Sequence, residues 1–413
     1  MTAKRAAVTG QVHEPDSVPV ETLPKGALGL AIIGFTPSWF SVIMGTGVLS
    51  TLIHQAPHQF RGMEDIGSAL YLLNCFLFVL FLGISVTRYI MFPYVWRHLI
   101  RYPPQCFFLG TLPCGLSTIV AATAYIAVPK YGQWASNLAV VLWWINVVLA
   151  VAACVGVPFL MFTIHHLTLD KMTGAWLLPV VPAIVAAAAG SVVATVISPD
   201  HAVTVIGVCY VLWGMGVGLS FLILSLYFHR LTVYHLPDTE VIVSAFLPVG
   251  PLGQGAFGII QLERAGKKVF PSTGFLGQSD AGDTVCAVST IVGLIMWGFG
   301  LWWLCHGMYS VLIRRLSGHL KFNMGFWGFI FPLGVFNSAT YALSTALPSA
   351  FFSYLAMVFL VALILLYIWV VLGTLHGTYN KTLLVAPCLT DMYSASVHGG
   401  QEHQPSSRSA RSA

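Results

Sequence analysis

Charge is what this sequence has least of. Only 8% of its 413 residues are Asp, Glu, Lys or Arg, against roughly 25% in soluble globular domains. So few ionised groups cannot solvate a water-exposed surface, which excludes a soluble globular protein. The net charge of +5 is modest, and the basic residues sit in loops and tails. That placement is an orientation signal for a membrane protein and does not make a nucleic-acid face. The eight cysteines are scattered through apolar segments with no C-x-x-C pair. They read as small packing residues, with neither a disulfide framework nor a zinc site. There is no G-x-x-x-x-G-K-[ST] motif, so ATP-driven pumping has no support. No nucleophile–base pair or metal constellation falls in the apolar segments, and His165-His166 lacks the spacing of helical metal ligands. The expectation is therefore a protein that is not an enzyme and carries no cofactor. Residues 1–26 are mixed polar and charged, and the first apolar run is too long for the core of a secretory signal peptide.

What is abundant is apolar sequence: 57% of the residues are hydrophobic and the mean hydropathy is +0.81. Ten segments, at about 28–54, 67–92, 104–127, 134–162, 174–197, 201–229, 240–262, 284–315, 323–346 and 349–378, approach or exceed the ~20 residues needed to cross a bilayer. The fold class is an all-α polytopic membrane protein, with a ten-helix domain over 27–378. Flanking it are polar tails, 1–26 and 379–413, whose low apolar content predicts disorder. Counting Lys and Arg by side places fourteen with the tails and the connections after even-numbered segments, against five opposite. Both termini are thus expected in the cytosol.

Proline organises the odd-numbered segments. Phe35-Thr36-Pro37-Ser38-Trp39 opens the first, and Pro113, Pro182, Pro251 and Pro332 recur near the start of the third, fifth, seventh and ninth. The gaps are 76, 69, 69 and 81 residues, room for one two-helix hairpin each. Such a period predicts five related hairpins around a common axis. Proline inside a membrane helix frees a backbone carbonyl that hydrocarbon cannot satisfy. The broken helices should therefore face protein or a water-filled path. No predicted segment carries a central Asp, Glu or Lys. Arg88 and Glu240 fall near segment ends, where snorkelling would explain them. The odd segments hold hydroxyls, amides and glycines instead: Ser38, Ser41, Thr46, Ser117, Gln254, Asn337 and Ser338 are the candidates for lining an anion path. Close helix packing is the competing reading of these small residues. The Leu-, Val-, Phe- and Trp-rich even segments read as an outer ring facing lipid.

The run from Phe35 to Gly47 with His54-Gln55-Ala56-Pro57, and the step Phe331-Pro332-Leu333-Gly334, resemble the tellurite-resistance/dicarboxylate transporter family. This family includes the slow-type anion channels, and the first-segment run is most similar to its fungal sulfite efflux branch. The resemblance implies ten helices as five hairpins in quasi-fivefold arrangement around a pore, and homo-oligomers (dimer or trimer) with one pore per protomer. It implies a small inorganic anion, sulfite or bisulfite, as substrate, and a plasma-membrane location. It also implies an aromatic plug: Phe331 beside the ninth-segment proline, with Phe329 as the alternative. An exporter driven by voltage alone needs no coupling carboxylate. A proton-coupled malate carrier of the same family is the alternative.

The orientation is testable at Asn380-Lys381-Thr382, a glycosylation sequon on the predicted cytosolic side. Glycosidase treatment of protein from a eukaryotic host should leave its gel mobility unchanged, and a shift would reverse the topology.

Overall fold

The computed structural model describes residues 26–273, 281–318 and 320–387; the rest of the two predicted tails lies outside the described residues. The chain is all α. A first segment, α1 (Ala27–Gly34) and α2 (Phe40–His54), is bent by 75° at its break. It is followed by α3 (Met63–Met91), the short α4 (Pro93–Arg101) and α5 (Pro103–Cys106), and then α6 (Thr111–Ala122). A π-helical turn (Thr123–Ala127) and α7 (Val128–Tyr131) extend α6. Next come α8 (Gln133–Thr163), α9 (Val181–Ala194), α10 (Pro199–Tyr234) and α11 (Val249–Thr273). α12 (Ala281–Ser317), α13 (Trp327–Ala346) and α14 (Ala350–Tyr379) complete the chain. Among the described residues seven helical stretches are long and apolar enough to cross a membrane, and the bent first pair makes eight. α9 is shorter: its 14 residues rise only ~21 Å.

Burial separates two layers. The most apolar window is 78% buried in Pro103–Tyr131 and 83% in Ile242–Pro271, but only 11% in α3 and 22% in α14. Every residue of α9 is buried. The inner helices pack in a closed cycle: α2 on α6, α6 on α9, α9 on α11, α11 on α13, and α13 back on α2. The long helices lie outside this cycle, α3 against α2, α10 against α9, α12 against α11 and α14 against α13. Lipid tails are as apolar as leucine, so close van der Waals fit holds such helices together. Small residues permit it. A Cβ on Gly253 would lie 2.7 Å from the backbone N and Cα of Phe336, and one on Gly47 would meet the Thr118 hydroxyl.

The inner segments share an opening device. Each begins with a 3₁₀ turn: Pro37–Trp39, Phe107–Gly110, Gly174–Leu177, Ile242–Phe246 and Met324–Phe326. Thr173 and Asn323 cap two of them, accepting from the backbone N–H of Ala175 and Gly325. The prolines do not all break a helix. Pro113, Pro182 and Pro251 sit in the first turns of α6, α9 and α11, where no backbone N–H is required. They start helices. Pro37 opens a 3₁₀ turn, and Pro332 alone of the five lies inside a helix.

Three expectations need correction. Arg88 does not snorkel: it is fully buried, with Nε donating to the Ile33 carbonyl at 2.9 Å and Nη1 to the Tyr89 hydroxyl at 3.1 Å. The helical partner of Ile33 O would be the N–H of residue 37, which is proline and has none. Arg88 supplies that donor. The seventh segment does not end at 262, since α11 continues to Thr273 and carries Glu263, Arg264, Lys267 and Lys268 on the helix. Glu263 is buried, so a carboxylate does lie within an apolar helical stretch. The packed chain also runs past 378. Leu383 and Ala386 are buried, and Ala386 joins Ile33, Phe92 and Val95 in one apolar cluster.

Gly253→Ala should destabilise the fold by about 1–3 kcal/mol, because the contacted atoms are backbone and cannot swing away. Gly83→Ala, with open space at its Cβ, is the control. Thermal unfolding in detergent should show a lower Tm for the first variant only; equal Tm values would contradict the packing.

Candidate functional site

The inner helices border two spaces that have one lining residue in common. A wide vestibule of about 1050 Å³ is lined by the opening turns of all five inner segments, among them Thr36, Ser38, Thr111, Trp176, Ser244 and Gly325. Beyond it lies a small cavity of about 50 Å³ lined from α2, α6 and its π turn, α9, α11 and α13. Phe331 lines both. Its residue is only 4% exposed. Pro332, next in the chain, borders the vestibule. Its missing N–H leaves the Gly328 carbonyl without the usual helical donor.

The predicted path residues divide into those at the spaces and those elsewhere. Ser38 and Ser41 line the vestibule, and Ser117, Gln254 and Ser338 line the small cavity. Thr46 does neither: it is fully buried and its Oγ1 lies 3.0 Å from the Tyr367 hydroxyl of α14. Asn337 also borders neither space; it is buried, with Oδ1 lacking a partner. Phe329 packs edge-on against Phe246 and Phe326, at ring distances of 4.8 and 5.7 Å, and borders neither. Pro37 joins Pro332 at the vestibule, whereas Pro113, Pro182 and Pro251 lie back in the helix walls. Thr51, Gln55, Tyr125 and Tyr341 line the small cavity without having been singled out. Helical spacing could have found Tyr341: Phe331, Val335, Ser338 and Tyr341 fall on one face of α13. Tyr125 follows Ser117 and Ala121 at four-residue steps in the same way.

The electrostatics of the two spaces differ. The described lining of the small cavity holds no Asp, Glu, Lys, Arg or His. The vestibule carries both signs, with Lys171 and Arg230 beside Asp170, Asp238 and Glu240. The Thr168 hydroxyl holds the Asp170 carboxyl below the usual carboxylate range, so it stays ionised at neutral pH. Arg230 donates to the backbone carbonyls of Asp170 and His235. Side-chain charge therefore gives the vestibule no single sign. The inner helices give it one, because their N-terminal turns open onto it, and helix N-termini carry partial positive charge. Among the described residues no group of three or more His, Cys, Asp or Glu could hold a metal ion.

Residues 34–375 match the family described as voltage-dependent anion channel. The chain is 43% identical to sulfite efflux pumps of Arthroderma benhamiae and Trichophyton rubrum, in each case over 86% of this chain and 93% of the relative. It is 28% identical to a malic acid transport protein of Schizosaccharomyces pombe, over 80% of this chain and 75% of that protein.

Proposed function

The chain belongs to the voltage-dependent anion channel family, and from that premise we propose that it exports sulfite or bisulfite across the plasma membrane as a voltage-driven conduit gated by Phe331. The ten apolar segments act as ten spans, five hairpins in quasi-fivefold order, with the inner helices around the pore. The polar tails and both termini face the cytosol, so the vestibule is the cytosolic entrance. Copies of the chain assemble as a homo-oligomer with one pore per protomer.

The observation that carries this reading is the position of Phe331, bordering the vestibule on one side and the small cavity on the other. A phenyl ring at such a junction is a hydrophobic constriction that excludes water and ions while seated. An inside-negative potential drives each anionic charge outward by roughly 2.3 kcal/mol per 100 mV. A passive path therefore suffices for export, consistent with a small cavity lined by hydroxyls, amides and apolar groups. Helix N-termini draw the anion into the vestibule. Beyond the ring, Ser117 and Gln254 replace part of its hydration shell, while the Ser338 hydroxyl at the same cavity donates to the Gly334 carbonyl. The two relatives at 43% identity named as sulfite efflux pumps support sulfite above malate.

Phe331→Ala tests the gate. It should raise sulfite flux severalfold or more in proteoliposomes at fixed voltage and pH, while Phe329→Ala leaves the flux near the wild-type level. Unchanged flux in a folded Phe331→Ala protein would remove Phe331 from the gate.

A further inference from the structure

Beyond Phe331, the hydroxyl groups around the small cavity are not equivalent, because three of the six in its described lining have already used their protons. Thr51 donates to the Val48 carbonyl at 2.9 Å, Thr118 to Gly115 O at 2.7 Å and Ser338 to Gly334 O at 3.2 Å. Each proton is turned back onto its own helix and away from anything in the cavity. Tyr125 is arranged the other way.

Arg264 lies on the part of α11 that runs beyond residue 262. A guanidinium can only donate hydrogen bonds. The atom facing Arg264 Nη1 at 2.9 Å is therefore the carbonyl oxygen of the Gln261 side chain, as found. That fixes the amide: Nε2 points to the Tyr125 hydroxyl, 2.5 Å away, and donates to it. The phenol oxygen accepts this bond and keeps its own proton, and Tyr125 lines the small cavity. The remaining direction for that proton is toward whatever occupies the cavity.

Two surroundings hold this polarity in place. Arg264 is anchored at the C-terminal turn of α13 by the Ala342 carbonyl and the Thr345 hydroxyl, where the helix end carries partial negative charge. The neighbouring carboxylate does not neutralise it. Glu263 turns to α12, where its oxygens accept from Cys286 Sγ at 2.6 Å and Thr290 Oγ1 at 3.0 Å. Tyr125 itself sits in the π turn Thr123–Ala127, an insertion that re-aims side chains and recurs at functional sites. Across the cavity the same polarity appears once more: Ser117 Oγ accepts from Asn146 Nδ2 at 2.6 Å, which leaves the Ser117 proton free as well.

The geometry points to Tyr125 as a hydrogen-bond donor to the permeating anion on the far side of Phe331, with Gln261 and Arg264 as positioning residues that set its polarity. This rests on the anion-conduit reading above and adds a selectivity element to it. The donor favours oxyanions, which accept strong hydrogen bonds, over weakly accepting anions such as iodide. Arg264 never touches the anion; its charge reaches the cavity as the direction of a hydrogen bond.

The test is the sulfite-to-iodide permeability ratio of full-length protein in proteoliposomes, at fixed voltage and pH, with Tm in detergent as the fold control. Tyr125→Phe should lower the ratio about tenfold, the scale of one hydrogen bond to a charged group. Gln261→Glu keeps the contact with Arg264 but offers Tyr125 an acceptor, so the phenol proton turns away from the cavity and the ratio falls at least as far. Gln261→Leu should also lower it, and Gln261→Leu with Tyr125→Phe should be no worse than Tyr125→Phe alone. A residue that merely stabilises the fold would shift Tm and add its effect to that of Tyr125→Phe. An unchanged ratio in Tyr125→Phe or Gln261→Glu, or additive losses in the double variant, would overturn the inference while the wild-type flux keeps the conduit reading intact. Absence of anion flux in the wild type would overturn both.

Discussion

A backbone carbonyl without a donor costs several kcal/mol in hydrocarbon, and the inner half of this protein is arranged around that constraint. Proline recurs near the start of five segments, and Pro37 and Pro332 remove the N–H that the carbonyl four residues earlier would use. At the first break the orphan is Ile33 O, and Arg88 reaches it from α3. At the second the Thr111 hydroxyl lies within hydrogen-bond distance of both Phe108 O and Pro37 O, tying two adjacent openings together. At the third, Leu178 O lies against Gly110, where a Cβ would sit only 2.2 Å from it. The glycine leaves room for the neighbouring segment to come that close. Backbone that could not face lipid is thus gathered on one side of the inner helices, and the vestibule forms there.

That origin explains how a path with few charges can suit an anion. A fixed lysine in the small cavity would bind the ion tightly and hold it. The described lining instead offers hydroxyls, amides and the apolar ring of Phe331. In the proposed conduit, attraction comes from helix termini at the vestibule and from hydrogen-bond polarity beyond the ring, both weak enough to release what they attract. The outer helices are apolar toward lipid but turn selected polar groups inward. Trp297 donates to the Thr340 hydroxyl, Trp213 to Gly255 O and Asn146 to Ser117. These bonds fix the rotation of the inner helices and therefore which side chains meet the vestibule and the small cavity.

Much of this could be read from sequence because proline marks the chain strongly and does so at a period. The charge deficit gave the class, and five spaced prolines gave the inner segments. Their local form was not readable: whether a proline kinks a helix or begins one depends on where the 3₁₀ turn ends. Facing was lost for Thr46 and Asn337, since a lone hydroxyl or amide carries no sign of which helix face it occupies. The extension of α11 was hidden because Arg264, Lys267 and Lys268 look like a loop, whereas on the helix the Arg264 and Lys268 heads reach backbone carbonyls of other segments. Arg88 resembled a snorkelling end group because its acceptor lies 55 residues away in the chain. Residues 383–386 were read as tail because four apolar residues are too few to signal packing.

The most direct test of the account is sulfite flux through the purified protein in proteoliposomes under clamped voltage, with malate and nitrate compared at the same pH. The account predicts sulfite-preferring flux that follows the membrane potential and is unchanged when the proton gradient is collapsed. Malate flux that disappears with the proton gradient would contradict it and identify a coupled carrier.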